Sequence, residues 1–158
     1  MQHMIAELST ILRQNQIPPG SGTHESTLRT FETRNGVLLP PDLREYFLNI
    51  NGTNGGYDHR LFEWNGIDRF LPVEKYFEGY SGVPNYQPLS ESLTNAHEHF
   101  VFANHEFHLF SYGITLSATL DLPNQVYIFC GEKFQVIASS FTEFVDLYLN
   151  DSGLLYFG

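Results

Sequence analysis

Residues 31–56 read FETRNGVLLPPDLREYFLNINGTNGG and carry the clearest local signals in the 158-residue chain. Asn35-Gly36 is typical of a helix C-terminus, because glycine tolerates the left-handed backbone that often follows the last turn. Pro41 suits the first turn of a second helix, where its missing N–H costs nothing. The stretch therefore predicts the end of one helix, a sharp stop, a short second helix and a glycine-rich exit.

The second helix of this stretch has an apolar stripe with the spacing i, i+3, i+4, i+7. Its members are Leu43, Tyr46, Phe47 and Ile50. Residues with this spacing lie on one side of a helix, so we expect all four to pack onto a core. None of them offers catalytic chemistry, so the stretch predicts a fold rather than a reaction.

Further helices and strands are predicted on both sides of this stretch. Apolar residues at helical spacing predict helices at residues 4–14 and 23–35, joined by a linker at residues 17–22. A capping box at Ser140 and Glu143 predicts a C-terminal helix. Short apolar runs predict strands at residues 60–64, 67–73, 99–103, 107–120, 126–130 and 133–138.

Turn residues predict how some of these strands connect. Asn65-Gly66 is a strong hairpin signal, so we expect the first two strands to pair with each other. Gly131-Glu132 predicts a two-residue hairpin between the last two strands. Residues 78–96 predict a long loop with one helical turn, and long loops are often functional.

The order of the elements, helices followed by an antiparallel meander and then a helix, predicts the α+β class. We expect a single domain over residues 1–158, with a mostly antiparallel or mixed sheet of about six strands packed against the N-terminal helices and the C-terminal helix. Residues 1–22 hold the N-terminal helix and linker, and residues 23–150 form the core. The tail at residues 151–158 is too apolar for a free end, so we expect it to dock.

The chain is strongly acidic, with 18 acidic and 8 basic residues and a formal net charge of −10. Phosphate backbones are bound by clustered Lys and Arg, and the sequence has no such cluster. We therefore expect no direct nucleic-acid binding. The acidic charge either keeps the domain soluble or speeds its capture of a basic partner.

Cysteine content and hydropathy favour a cytoplasmic protein. Cys130 is the only cysteine, so an intramolecular disulfide is impossible, which fits a reducing compartment. The N-terminus lacks the features of a signal peptide, and no apolar stretch approaches the roughly 20 residues of a membrane span. We expect no membrane partner, and a monomer or weak dimer.

Four of the seven histidines lie close together in the sequence, namely His97, His99, His105 and His108. Strand side chains two residues apart share a face, so His97 and His99 could meet a zinc or nickel ion together with a third histidine from across a hairpin. This pattern predicts a candidate metal site and, as an alternative function, a metal-dependent hydrolase. The other interpretation is an exposed strand end and turn that tolerates polar rings.

Signatures of nucleophilic catalysis and phosphate binding are absent from the sequence. Cys130 lies in a predicted apolar strand, where a thiol is usually an inert packing group. The glycine-rich residues 51–56 follow a helix and lack the lysine of a phosphate loop. We therefore expect no catalytic residues, no cofactor and no enzymatic activity.

Acidic and aromatic residues in the predicted loops are candidate contacts with a protein partner. Aromatic side chains often anchor interfaces, and acidic ones complement a basic partner. Six residues are candidates on the expectation that they are exposed: Glu63, Trp64, Asp68, Glu78, Tyr80 and Tyr86.

Seven short motifs follow one another between residues 23 and 150. In chain order they are Gly36, Leu39-Pro40, Asn51-Gly52, Phe102-Ala-Asn104, Tyr112-Gly-Ile114, Val126-Tyr127 and residues 137–144. Their order resembles the SUKH superfamily, which includes fungal cell-wall-synthesis regulators and many bacterial proteins. The chain departs from the family pattern at Asn104, where many relatives carry Asp.

The resemblance implies an α+β fold and a binding function rather than catalysis. Many bacterial members are identified as immunity proteins that neutralise secreted toxins, often nucleases, encoded beside them. No catalytic residues transfer from the family. The resemblance thus implies a cognate protein toxin as the partner, and a regulatory or scaffolding domain with another protein partner is a further alternative.

Overall fold

The computed structural model describes residues 2–14 and 21–157. The predicted linker at residues 17–22 lies largely outside the described residues. The α-helices are α1 (Gln2–Gln14), α2 (Glu25–Asn35), α3 (Pro41–Asn49), α4 (Val73–Tyr76), α5 (Leu89–Ser92) and α6 (Phe141–Leu149). The strands are β1 (Phe62–Trp64), β2 (Leu71–Pro72), β3 (His99–His105), β4 (Phe110–Thr115), β5 (Val126–Cys130) and β6 (Lys133–Ala138).

The six strands form one sheet in the order β1-β3-β4-β5-β6, and β2 pairs with β3 beside β1. Every pair is antiparallel. The α+β class and the six strands are therefore confirmed, and the pairing is wholly antiparallel rather than mixed. None of the described helices combines the length and the apolar character needed to cross a membrane.

The hairpin predicted at Asn65-Gly66 is wrong, because β1 and β2 both pair with β3 rather than with each other. A type I′ hairpin turn needs positive φ angles, whereas Gly66 has a φ of −81°. The Asn65 N–H donates instead to the Phe102 carbonyl at 2.8 Å. The chain therefore continues along β3, with a 3-10 turn at Ile67–Arg69 between the two short strands.

One face of the sheet packs against the long helices and forms the main core. The stripe predicted on α3 is confirmed, since its four members are completely buried in this core. Gly36 follows α2 with a φ of +65°, as its place at the helix end predicts. From α1, Ile5, Leu8 and Leu12 enter the same core.

The opposite face of the sheet is covered by residues 73–96, which carry the short helices α4 and α5. A second apolar cluster fills the space between this segment and the sheet, and its central rings are Phe77, Tyr86 and Phe129. The predicted long loop is therefore a packed layer. The candidate site lies at the end of this face next to β1.

A bulge in β3 decides which side chains reach this second face. The register against β4 shifts between Val101 and Ala103, so one extra residue lies in β3. Val101 belongs to the second cluster, whereas Phe102 and Ala103 both belong to the main core. Strand alternation then places Asn104 on the second face and His105 on the main-core face.

The C-terminal tail docks on the main core, as its apolar sequence predicts. Leu155 is completely buried, and its carbonyl accepts a hydrogen bond from the Tyr112 hydroxyl at 2.7 Å. Tyr156 and Phe157 pack against the same core.

Candidate functional site

The turn between β3 and β4 has an unusual backbone. Glu106, Phe107 and His108 are consecutive and have φ angles of +53°, +56° and +70°. Left-handed backbone costs a non-glycine residue about 1–2 kcal/mol, so a run of three persists only where surrounding contacts hold it. Backbone strain of this kind is common at functional sites, so the turn is a candidate for one.

Two side chains hold this turn from below. The fully buried Asn104 accepts hydrogen bonds through its Oδ1 from the His108 N–H and the Tyr57 hydroxyl, both at 3.1 Å. The buried Tyr86 hydroxyl donates to the His108 carbonyl at 2.8 Å. The turn thereby exposes 64% of Phe107, whose ring lies 4.6 Å from that of Tyr57.

A buried carboxylate lies beside the turn. Glu63 on β1 is only 6% exposed, and its Oε1 accepts a hydrogen bond from the Asn104 Nδ2 at 2.8 Å. Its Oε2 lies 3.9 Å from the Nη1 of Arg69, whose side chain is half exposed. Asn104 thus connects the carboxylate to the strained turn.

Next to Glu63 is a cavity of about 250 Å³, which we call the Glu63 pocket. It lies between the loop that follows α3 and the segment that joins β1 to β2. Its walls are Asn51, Asn54, Gly55, Glu63, Trp64, Asn65, Gly66, Ile67, Asp68 and Arg69.

Aromatic rings continue this surface away from the pocket. The Tyr76 hydroxyl lies 3.3 Å from the His108 Nε2, and the Arg69 guanidinium lies 5.4 Å from the centre of the Tyr76 ring. The Tyr80 ring is 5.6 Å from that of His108. We define the Glu63–Phe107 surface by these contacts as Tyr57, Glu63, Arg69, Tyr76, Tyr80, Phe107 and His108.

Burial raises the pKa of two phenols on this surface. The pKa of Tyr57 is raised above its usual value by burial and, less strongly, by the Glu63 charge. The pKa of Tyr76 is raised mainly by burial. Both hydroxyls therefore stay protonated at neutral pH, and that of Tyr57 donates to the Asn104 Oδ1.

The expected exposure of six partner-contact residues is only partly met. Asp68 and Glu78 are exposed, and Tyr80 is half-buried. The expectation is wrong for Glu63, Trp64 and Tyr86, which are all buried. Of the six, Glu63, Trp64 and Asp68 line the pocket and Tyr80 lies on the adjoining surface, whereas Glu78 and Tyr86 are outside both sets of residues.

Each of the buried aromatic residues has a structural reason for its position. Trp64 lies in the main core, where its indole N–H points to the Asp58 carboxylate at 3.4 Å. Tyr86 stacks on Phe77 with ring centres 4.1 Å apart. Neither ring is available to a partner, and Tyr86 acts on the surface only through the turn that it holds.

The histidines do not meet as the metal hypothesis requires. His97 is exposed, His99 packs on Tyr127, His105 packs on Phe62 and His108 lies by Tyr76. Across residues 2–14 and 21–157, no three His, Cys, Asp or Glu side chains are grouped closely enough to hold a metal ion. The predicted convergence is wrong.

Two features of β3 explain this error. The strand begins only at His99, so His97 lies in a 3-10 turn and the two rings do not share a strand face. The bulge then separates His99 and His105 onto opposite faces of the sheet. The hypothesis of a metal-dependent hydrolase therefore has no set of converging histidine ligands among the described residues to support it.

Buried histidines predict a loss of stability in acid. Burial lowers the pKa of His99, His105 and His108, and the His99 Nε2 and His105 Nδ1 are buried without a hydrogen-bond partner among the described residues. In the unfolded chain a histidine titrates near 6.5, so the unfolded state binds more protons as the pH falls below about 6.5. We expect the urea midpoint to fall between pH 7.5 and pH 5.5.

A His105→Phe variant provides the control for this prediction. It keeps a ring against Phe62 but cannot take up a proton, so its midpoint should fall less over the same pH range. The comparison cancels changes in the overall charge repulsion of the acidic chain. Equal pH dependence in the two proteins would contradict the assignment of His105 as a buried neutral ring.

Sequence patterns do not reveal that the residues of the strained turn build a site. They predict Phe107 at the start of a strand and Asn104 just after the preceding one. The one available signal is a large apolar residue within the polar run Asn104-His-Glu-Phe-His108. Left-handed backbone in three non-glycine residues has no sequence signature.

A protein-family comparison accounts for most of the chain. The model of the SMI1 / KNR4 family (SUKH-1) matches residues 22–147, which include α2, the complete sheet and most of α6. No match to the chain was found among curated proteins. The resemblance to the SUKH superfamily is thereby confirmed, and the chain belongs to the SMI1 / KNR4 family (SUKH-1).

Proposed function

We propose that this domain binds a protein partner through the Glu63–Phe107 surface. We further propose that the partner is a cognate secreted toxin, often a nuclease in this family, and that binding neutralises it. The domain is then an immunity protein without catalytic activity, acting in the cytoplasm. Family membership supports protein binding as the function, and the Glu63–Phe107 surface supports the location of the interface.

The observation that carries the proposal is the exposed Phe107 ring on its strained turn. Aromatic rings supply much of the energy at protein interfaces, and a ring that is already fixed loses little conformational freedom on binding. The buried Asn104 and Tyr86 fix the turn through their hydrogen bonds to the His108 backbone. The strain in the turn therefore serves to present a ring.

The charge of the domain supports a basic partner. A net charge of −10 attracts a basic protein over a distance and raises its association rate at low salt. Glu106 and Asp68 are exposed at the turn and the pocket, so acidic groups flank the exposed ring. Nucleases bind phosphate backbones with basic surfaces, which makes them suitable partners.

The test is to purify the domain with the toxin encoded next to it and to measure both affinity and toxin inhibition. We expect a stable complex and loss of toxin activity at a one-to-one ratio. No binding to any neighbouring or co-purifying toxin would contradict the immunity function. Binding to a non-toxin protein through the same surface would indicate a regulatory or scaffolding domain instead.

Substituting Phe107 by alanine should weaken the complex at least tenfold, because truncation of a central interface ring typically costs more than about 1.4 kcal/mol. Leu122→Ala is a matched control, since Leu122 is also an exposed apolar residue but follows the opposite end of β4. Its affinity should be unchanged. Equal affinity of the two variants would place the interface elsewhere.

A further inference from the structure

The Glu63 side chain is largely buried, and only one of its two carboxylate oxygens has a close hydrogen-bond partner among the described residues. Its Oε1 accepts the Asn104 hydrogen bond, whereas its Oε2 has, within the described part of the chain, only the 3.9 Å contact with Arg69. A buried charge without close partners is costly, so such groups are normally paired. Glu63 lines the pocket, so a cation that enters the pocket can pair with this second oxygen.

Other oxygen atoms gather on the rim of the same pocket. Gly66 shows this, because a Cβ atom built on it would lie 2.8 Å from the Asn51 carbonyl oxygen, 3.0 Å from the Asn51 Oδ1 and 3.1 Å from the Asp68 Oδ1. Any larger residue at this position would reach into these oxygens. Of these oxygens, the Asn51 Oδ1 already accepts the Ile67 N–H at 2.8 Å, and Asp68 adds a second negative charge to the rim.

Arg69 already places a guanidinium beside the Glu63 pocket, but not in close contact with the carboxylate. Its guanidinium lies over the Tyr76 ring and at the outer limit of an ion pair with Glu63, and half of its side chain is exposed to water. An exposed ion pair of this length contributes little free energy. A guanidinium that entered from outside could come closer to the carboxylate than Arg69 does.

We propose that the Glu63 pocket receives one arginine side chain of the protein partner. The guanidinium donates to the Glu63 Oε2 and to the oxygens of the rim, and Arg69 moves aside toward solvent. Arginine is favoured over lysine because its five planar donors match several acceptors and it stacks on aromatic rings. This inference rests on the proposed function, and it names the chemistry of the partner group.

The size of the cavity agrees with this ligand. A cavity of about 250 Å³ is large enough to admit a guanidinium with the methylene groups next to it. Asn104 links the pocket to the turn that carries Phe107. A partner could therefore place an arginine in the pocket and an apolar residue against Phe107 in one contact.

The experiment titrates the full chain, labelled with nitrogen-15, with N-acetyl-arginine amide and records amide chemical shifts. The citrulline analogue is the matched control, because it has the same shape without the charge. We expect saturable shifts at the amides around the pocket with the arginine probe and at least tenfold weaker binding of citrulline. Equal binding of the two probes, or no saturable shift around the pocket, would overturn the inference.

Two substitutions give effects of opposite sign. Glu63→Gln keeps an oxygen for Asn104 but removes the charge, so arginine affinity should fall at least tenfold. Arg69→Gln removes the competing guanidinium, so affinity should rise about threefold or more. Asp121→Asn removes an exposed acid at the opposite end of β4 and should change nothing.

These outcomes separate the pocket from the immunity function. The probe experiment needs no toxin. Arginine binding without any toxin complex would therefore support the arginine pocket and contradict the immunity function. If the Glu63→Gln variant binds the toxin with unchanged affinity, the arginine-pocket inference is contradicted and the immunity function is not. If Glu63→Gln fails to fold, then the Arg69→Gln variant decides, since unchanged or weaker arginine binding by it contradicts the inference.

Discussion

Replacing Asp58 by alanine is expected to lower the free energy of unfolding by about 3–5 kcal/mol, because several buried donors lose one shared acceptor. Asp58 is buried just before β1. Its Oδ1 accepts the N–H groups of Arg60 and Phe62, both at 2.9 Å. Alanine would leave these two N–H groups without the acceptor that they share in the fold.

The second oxygen of Asp58 connects β1 to the C-terminal helix. It accepts the Tyr148 hydroxyl at 2.5 Å and faces the Trp64 indole N–H at 3.4 Å. Burial raises the pKa of Tyr148 above its usual value, so the phenol keeps its proton and remains a donor. Asp58 therefore fixes β1 against α6, and with it the strand that carries Glu63.

Urea unfolding of the Asp58→Ala variant tests this directly. Tyr148→Phe is the graded comparison, since it keeps the ring and removes one hydrogen bond to a charged acceptor, at an expected cost of about 1.5–3 kcal/mol. Asp121→Asn removes an exposed carboxylate and should be neutral. A loss below about 1 kcal/mol in Asp58→Ala would mean that water replaces the carboxylate without cost.

The parts of the fold that short-range signals specify could be predicted. Gly36 and Pro41 mark the boundary between α2 and α3 because their backbone preferences act within one or two residues. The hairpin at Gly131 is equally local, and the glycine there has a φ of +62°. Both predictions needed no knowledge of the distant chain.

The pairing of β1 and β2 depends on contacts that the local sequence does not contain. Asn65-Gly66 has the composition of a hairpin, but Asn65 also contacts β3 through its side chain, whose Nδ2 lies 3.3 Å from the Val101 carbonyl. The tertiary contact overrides the local preference. The same holds for Trp64, whose burial depends on the helices that cover β1.

The candidate site was predictable in composition but not in position. Glu63, Asp68 and Tyr80 are predicted contacts because they are acidic or aromatic, and they do lie at or beside the Glu63–Phe107 surface. The bulge in β3 is what places Asn104 under the turn, and a one-residue insertion changes the face of every side chain that follows it. No feature of the sequence signals that insertion.

Replacing Gly52 by alanine is expected to destabilise the domain by about 2–4 kcal/mol, through backbone strain and through a steric clash. Gly52 has a φ of +88°, and a Cβ atom on it would lie 2.6 Å from the Gly66 nitrogen and 2.8 Å from the Trp64 carbonyl oxygen. These are backbone atoms, which cannot rotate away. The loop after α3 therefore packs directly on the chain that leaves β1.

Gly55→Ala separates the two causes, because Gly55 has a similar φ of +80° but no described atom beyond its chain neighbours within 4 Å of the place that a Cβ would occupy. It should cost only about 1 kcal/mol, the usual effect of alanine at a left-handed glycine. Urea unfolding gives the loss in free energy of unfolding for each variant, and the difference between the two losses is the cost of the clash. If the two losses are equal, then Gly52 acts only as the stop of α3. If Gly52→Ala costs more, the closing Asn51-Gly52 motif also sets how closely the loop approaches β1, and it thereby shapes one wall of the Glu63 pocket.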